Sequence, residues 1–452
     1  MKRGRRDSKT INQKVFLCCL LLTTVSIPGV ALDRQPNANY RARRMALANR
    51  TSAPVVLFAP VEAPDEVYGF RQENNFYYLS GLTTPGAALL LSPARAADGS
   101  SPAVPYTEVL FLPARNLFQE KWTGPQLGPE NPEASKLTGF DRVADIATLA
   151  SAVEKLTAET ARPLVYTEVS DREMGSESAP VEFLKRMNSA LRFEDVKPML
   201  ASLRTIKDSG EVALIRKAVD ASVAAHFAAF KAVKPEAKEY EIAALMEYEW
   251  DRRGCERAAY APIVGSGYDS TVLHYSADTN TMKSGDVVVI DAAGEYSMYA
   301  ADITRTLPVN GHFTARQREI YDIVLGAQEA AMEAFQSGKS VLAGDSETSL
   351  YKVARDYINS HGKDLHGQPL GKYFIHGLGH YIGLSVHDVG DYAVPLSPGM
   401  AFTIEPGIYI PEENLGVRIE DDFFVDASGR LVKLSAALPS KAEDVEKAMA
   451  EN

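Results

Sequence analysis

Apolar positions along the chain change pattern near residue 208. Between residues 53 and 195, short apolar runs at 55–58, 87–91 and 109–112 read as buried strands, and the amphipathic stretches 144–156 and 181–191 read as helices. Strands interleaved with helices predict an α/β domain over 32–200. No glycine-rich phosphate loop follows these strands, so nucleotide binding is not expected. The Pro-, Ser- and Gly-rich stretch 98–105 reads as an exposed loop, and 198–205 as the domain boundary. Beyond it, Asp208-Ser209-Gly210-Glu211 offers a helix cap with a Glu three residues on. Val212, Ile215, Val219, Val223, His226, Phe227 and Phe230 follow at helical spacing. A second helix spans 239–253, and strands occupy 258–307. The order then repeats, with helices at 316–335 and 348–360 and strand-like segments at 374–375, 400–410, 416–425 and 431–433. Helix, helix, sheet twice over predicts an α+β domain at 201–440 with internal duplication, its halves meeting at a cleft.

The first 31 residues differ. Lys2, Arg3, Arg5, Arg6, Lys9 and Lys14 stand against Asp7 alone, an apolar run covers 15–27, and a small-x-small site ends at Ala31. That is the order of a signal peptide. This mostly apolar run of 13 residues falls short of the roughly 20 that span a bilayer. Cleavage near Ala31 and export, to a periplasm or out of the cell, are expected. Loss of the segment removes a net +5 and takes the formal charge from −11 to −16. With 45% apolar and 24% charged residues, the remainder is an ordinary globular composition. So acidic a protein repels phosphate backbones and anionic lipid, so neither nucleic acid nor a membrane is an expected partner. Cys255 is the sole cysteine past the signal and reads as structural. Arg41, Arg43 and Arg44 read as the solvated face of a first helix.

Candidate chemistry begins in GDVVVIDAAGEYSMYAADITRTL at 285–307. Apolar runs at 287–290 and around Ile303, joined by a polar connection at 294–299, predict a β-hairpin with Asp291 and Asp302 at equivalent ends. Two bare carboxylates at close range repel, so the pair needs a proton or a metal cation. The second half offers His376, His380 and His387 in HGLGHYIGLSVHD, Glu405 in TIEPG, and Arg418 and Glu420 in VRIEDD. Asp291, Asp302, His380, Glu405 and Glu420 supply four carboxylates and one imidazole. That donor set favours Mn²⁺, with Co²⁺ or Zn²⁺ as alternatives. Five ligands with bridging carboxylates suit two ions about 3.5 Å apart. His226, on an apolar stripe, reads as a packed core histidine.

The segments LHY (273–275), IDAAGEYSMYAADITRTLPVNGHFT (290–314), HGLGHYIGLSVHDVG (376–390), TIEPGIYI (403–410) and GVRIEDD (416–422) resemble the pita-bread-fold metallopeptidases. Within these they resemble the aminopeptidase P, or Xaa-Pro aminopeptidase, family. FRQENNFYYLSGLTTPGAALLL (70–91) and KWTGPQLG (121–128) are similar to that family's N-terminal domain, so the likeness covers about 40–435. Ala293 departs from the usual Asp-x-Gly beside the first ligand, a change expected to be tolerated. The resemblance implies a pita-bread catalytic domain with pseudo-two-fold halves, a dimer or tetramer, and a dinuclear, usually manganese, site on Asp291, Asp302, His380, Glu405 and Glu420. Asp302 and Glu420 would bridge. It implies supporting roles for His274, His376, His387 and Arg418. Arg418 lies two residues before Glu420, so on a strand both face one way, and it can hold a carboxylate by paired hydrogen bonds.

The expected activity is hydrolysis of the N-terminal Xaa-Pro bond of peptides by metal-activated hydroxide. Glu405 would be the general base, and His387 or His274 would stabilise the oxyanion. His376 and Tyr409 would line the proline pocket; Trp122 would face the cleft or sit in the core. The rival reading, a prolidase acting on dipeptides alone, needs a cation for the free carboxylate. None occurs between 381 and 404, although Arg71 or the other domain could supply one. A metal-free creatinase-like or non-catalytic relative fits less well, because all five ligand types are present.

Overall fold

The computed structural model of the chain describes residues 33–62, 69–97, 103–158, 163–171 and 176–451. The expected signal peptide and most of the 98–105 loop lie outside these residues. In the N-terminal part six strands form one sheet: β1 (Val55–Phe58), β2 (Ala88–Ser92), β3 (Thr107–Leu112), β4 (Arg142–Asp145), β5 (Leu164–Thr167) and β6 (Arg192–Asp195), in spatial order β4-β3-β2-β1-β5-β6. The β1–β2 and β2–β3 pairs are antiparallel and the other three parallel. Alternation along the strands sends side chains to both faces. Val56, Ala88, Leu90 and Phe111 pack with Leu149, Val153 and Leu184; Val55, Leu57, Leu89 and Leu91 join the main core on the other face.

The three strands read from apolar runs are present. The stretch 144–156 is instead divided. Residues up to Asp145 continue as strand β4, in parallel register with β3 (Leu112 opposite Asp145), and the helix starts only at Leu149. The helix expected at 181–191 runs Ala179–Met187, its start capped by Ser178. Residues 198–205, read as the domain boundary, are helical. They fall largely in helix Lys197–Arg204, with Pro198 in the first turn, where a missing N–H is harmless.

Helix α1 (Asn37–Ala48) also corrects an expectation, because Arg43 and Arg44 are buried rather than solvated. Arg44 donates from Nε and Nη2 to Glu108 at 2.8 and 2.9 Å and stacks 3.8 Å over Phe140. Arg43 donates to Asp208 at 2.6 Å. Only Arg41 stays partly exposed, between Glu108 and Asp141. The charges are legible in the sequence; a buried carboxylate 64 residues away is not.

The second part is built from helix α2 (Ser209–Ala232) packed on α3 (Glu239–Asp251), then α4 (Ala315–Ala334) packed on α5 (Leu350–His361). Helix α2 opens with the expected reciprocal cap: Asp208 accepts from the N–H groups of Gly210 and Glu211, and Glu211 accepts from that of Asp208. Between the helix pairs, β7 (Ile263–Ser266), β8 (Val287–Asp291) and β9 (Thr304–Pro308) form an antiparallel sheet. After the second pair come β10 (Ala401–Ile404), β11 (Gly407–Ile410), β12 (Leu415–Arg418) and β13 (Asp421–Val425). Strand β10 pairs with β13 and β11 with β12, so helix pair followed by sheet does occur twice.

The strands expected at 400–410 and 416–425 are each broken, at Glu405-Pro406 and at Ile419-Glu420. Pro406 has no N–H for a ladder. Each break presents a carboxylate. Residues 374–375 are not a strand; they follow a short 3₁₀ turn, Leu370–Tyr373. Cys255 is buried, and burial pushes its thiol up to about 12, which suits a packing role. Among the described residues no helix is long and apolar enough to cross a membrane.

Candidate metal centre

Strands β8 and β9 pair with Asp291 opposite Thr304, which places Asp302 just ahead of β9 and beside Asp291. The connection is not a plain polar loop. It is a second, mostly buried hairpin, Gly294–Tyr296 with Tyr299–Ala300, whose turn residues Ser297 and Met298 both have positive φ. The backbone N–H of Asp302 donates to Asp422 Oδ2 at 3.0 Å. Glu420, in the gap between β12 and β13, bridges back to Thr304 through paired backbone hydrogen bonds, and Thr304 Oγ1 donates to Glu420 Oε2 at 2.6 Å.

His380 arrives from the glycine-rich segment, which lies against β10. A Cβ on Gly379 would stand 2.0 Å from Thr403 O, so only glycine allows the approach. Thr403 Oγ1 accepts from the His380 N–H at 3.0 Å and donates to Glu405 Oε1 at 3.2 Å. The Nδ1–H of His380 donates to Tyr381 O at 3.2 Å, which turns Nε2 toward Asp302 Oδ2 (3.2 Å), Glu405 Oε1 (3.3 Å) and Glu420 Oε1 (3.9 Å).

The nine residues read as ligands or their supports, His274, Asp291, Asp302, His376, His380, His387, Glu405, Arg418 and Glu420, line one cavity of about 480 Å³. Their donor atoms form three clusters with every atom within 4.8 Å of the others: Asp291, Asp302 and Glu420; His380, Glu405 and Glu420; and Asp302, His380 and His387. Asp302, Glu420 and His380 each belong to two clusters. His387, not among the five expected ligands, stands with its ring 4.1 Å from that of His380.

The electrostatics of the cluster demand positive charge. Burial, then the neighbouring carboxylates, raises Asp302 and Glu420, and burial lifts Glu405 to about 7. Burial alone would lower His380, but its contact with Asp302 and the charge of Glu405 carry it up to about 9. An imidazolium and a divalent cation answer the same need. Carboxylate oxygens with one imidazole fit a hard-to-borderline divalent ion, so the residues present suit a metal.

Around this cluster runs a chain of hydrogen bonds. Arg418 Nη2 donates to Asp291 Oδ2 at 2.7 Å, and Nη1 donates to the Tyr409 hydroxyl at 2.9 Å. The Tyr409 hydroxyl lies 2.8 Å from His376 Nε2, and His376 Nδ1–H donates to Gly377 O at 2.8 Å. Arg418 thus holds one carboxylate by a single bond rather than a pair, because its other arm is on Tyr409. Burial and the Arg418 charge push His376 down to about 4, so it is neutral. Burial and the charge of His380 do the same to His387, also to about 4.

Tyr409 touches His376 from behind and does not line the cavity. Trp122 is 80% exposed, neither in the core nor lining the cavity. Arg71 is engaged by Glu295 and by Leu384 O and is not free to bind a substrate carboxylate. Sequence reasoning passed over Tyr260, whose hydroxyl donates to Asp291 Oδ1 at 2.6 Å, and Thr304. Their roles follow from cross-strand register, for which the sequence carries no local signal.

Comparison with known proteins agrees with this geometry. Residues 213–427 match the model of metallopeptidase family M24, and 40–166 match the aminopeptidase P N-terminal domain. The Xaa-Pro aminopeptidase of Haemophilus influenzae is 34% identical over 92% of this chain and 98% of its own length. The Xaa-Pro aminopeptidase 3 of mouse is 33% identical over 93% and 87%. The structure of Escherichia coli aminopeptidase P with the inhibitor Pro-Leu superposes with a TM-score of 0.79 at 29% identity, over 92% of this chain and 99% of that one. The chain belongs to metallopeptidase family M24, and within it to the Xaa-Pro aminopeptidases that carry the aminopeptidase P N-terminal domain. Its catalytic domain is a pita-bread fold, and it is a hydrolase of a class that works with divalent metal ions.

Proposed function

We propose that this protein removes the first residue from peptides whose second residue is proline, using a pair of divalent ions held by Asp291, Asp302, His380, Glu405 and Glu420. The carrying observation is that the donor cluster of Asp291, Asp302 and Glu420 adjoins that of His380, Glu405 and Glu420 through the shared Glu420, an arrangement that would hold two neighbouring ions. The oxygen-rich donor set supports manganese, with cobalt or zinc as substitutes.

When bound, the metal pair supplies a water of lowered pKa and a Lewis acid for the scissile carbonyl. Glu405 takes a proton from the attacking water and returns it to the prolyl nitrogen as the C–N bond breaks. The prolyl nitrogen leaves as a secondary amine, so it must gain one proton, and the one that Glu405 took from the water closes the balance. His387 and His274 line the cleft where they can donate to the developing oxyanion. Leu273, Ile263 and Val386 give the pyrrolidine ring an apolar wall, with His376 at its edge. The Arg418–Tyr409–His376 chain holds Asp291 and that histidine in fixed orientation.

The absence of Lys or Arg in 381–404, together with the engagement of Arg71, supports action on longer peptides over dipeptides. Incubation of the Mn²⁺-loaded enzyme with Xaa-Pro and Xaa-Pro-Yaa-Yaa peptides tests this. Cleavage of the tetrapeptides is expected, and turnover of dipeptides alone would overturn it. Two further readings belong with this one. The basic-then-apolar N-terminus supports export to a periplasm or medium, testable by N-terminal sequencing of the mature protein. The exposed side chains of Leu117, Phe118 and Trp122 support self-association into a dimer or tetramer, testable by light scattering.

A further inference from the structure

His387 sits on a turn at 383–388 that belongs to no helix or strand. As a residue His387 is exposed, and its ring meets that of His380 at 4.1 Å, a contact that does not by itself hold the backbone of the turn. Three cations from outside the catalytic sheets grip the turn instead. Arg71 Nη2 donates to Leu384 O at 2.8 Å, while Nε and Nη2 hold the buried Glu295 at 3.0 and 2.7 Å. Arg204 Nη2 donates to Asp388 Oδ1 at 2.5 Å, and Lys207 Nζ donates to Asp388 Oδ2 at 3.2 Å. Arg204 Nη1 continues to Asn75 Oδ1 at 2.7 Å, in helix Asn74–Ser80.

Arg204, Lys207 and Asp388 are 4%, 5% and 6% exposed, so this is a buried ion cluster and not a surface pair. Taking three charges out of water is unfavourable unless the geometry is held, and such a cluster resists displacement of any member. Gly383 leaves room for it: a Cβ there would stand 2.2 Å from Asp388 Oδ2 and 3.0 Å from Lys207 Cε. Arg71 lies in the stretch matching the N-terminal domain, Asp388 in the stretch matching the peptidase, and Arg204 and Lys207 between the two. The grip therefore crosses from one domain to the other.

We propose that Arg71, Arg204 and Lys207 are positioning residues for catalysis, holding the His387 turn at the cleft through Leu384 O and Asp388. The inference rests on the reading of His387 as a donor to the oxyanion. It gives the N-terminal domain a part in the chemistry: a group displaced by about 1 Å can cost a hundredfold in rate.

The test is a double-mutant cycle in the full-length, metal-loaded enzyme. Asp388→Asn keeps the shape and removes the charge; Arg71→Lys keeps a charge beside Glu295 and shortens the reach to Leu384 O. Each is expected to lower kcat by about ten- to a hundredfold, with KM and metal content unchanged. In a His387→Ala background each should change kcat by no more than about twofold, because the damage passes through His387. Unchanged kcat in the single variants, full additivity with His387→Ala, or loss of metal in step with activity would each overturn the proposal. If Asp388→Asn does not fold, Arg71→Lys carries the cycle alone. A fully active His387→Ala enzyme would overturn the role of His387 itself. The clamp would then be judged by the His387 imidazole NMR resonances, which shift in both variants if the turn is released and stay fixed if it is not.

Discussion

At the scale of single residues, the site is a set of groups that each solve part of one electrostatic problem. Asp302 is central, since it belongs to two donor clusters and lies 3.2 Å from His380 Nε2. Asp302→Ala should lower kcat/KM by more than about a hundredfold, the upper range for groups that merely support a ligand. Its far-ultraviolet circular dichroism should match wild type, and full activity would remove Asp302 from the site. His226 was legible as a core histidine and is fully buried, with Nε2 3.1 Å from both Ala292 O and Ile303 O. It thereby ties together the residues that follow Asp291 and Asp302. Burial and the nearby Arg305 charge lower it from 6.5 to about 4. Below about 6.5 the unfolded chain takes up a proton that the folded protein refuses until about 4. Stability therefore rises with pH across that window and is lost on acidification, by on the order of 3 kcal/mol. His226→Gln keeps an N–H donor and cannot titrate. Urea unfolding at pH 7 and pH 5 should show a smaller drop in the variant than in wild type.

At the scale of elements, boundaries follow partners more than propensity. The cap on α2 was readable because its parts are three residues apart, and both halves are present. Asp208→Ala should cost about 1 to 2 kcal/mol of stability in denaturant titration, and more if the ion pair with Arg43 contributes. The hairpin carrying Asp291 and Asp302 was readable from its two apolar runs. Its inner hairpin was not, because Gly294–Tyr296 is held by pairing to Arg257–Ala258, which lies more than thirty residues back. The strand breaks at Glu405-Pro406 and Ile419-Glu420 fall inside stretches that read as continuous strands in the sequence. What breaks them is the need to turn a carboxylate toward a common centre while the backbone pairs with two different neighbours.

At the scale of the whole molecule, two halves close on a buried cluster of four carboxylates that Arg418 and His380 offset only in part. Ligand binding to the folded state alone stabilises it by mass action. Prolonged dialysis against EDTA should therefore lower Tm in a thermal scan, and added Mn²⁺ should restore it. A Tm indifferent to both would argue against a metal in this cavity.

Most helices and strands, the repeated helix-pair-and-sheet order and the carboxylates of the cavity were legible from periodicity, capping and charge placement, which are local signals; His274 was named through the family resemblance. Only the tertiary structure decided that Arg44 would be buried on Glu108, that Tyr260 and Thr304 would hold Asp291 and Glu420, and that Trp122 would stay exposed. It alone placed Arg71, Arg204 and Lys207 on the His387 turn. Each of these pairings depends on a partner far away in the chain, and long-range contacts leave no mark on the residues nearby.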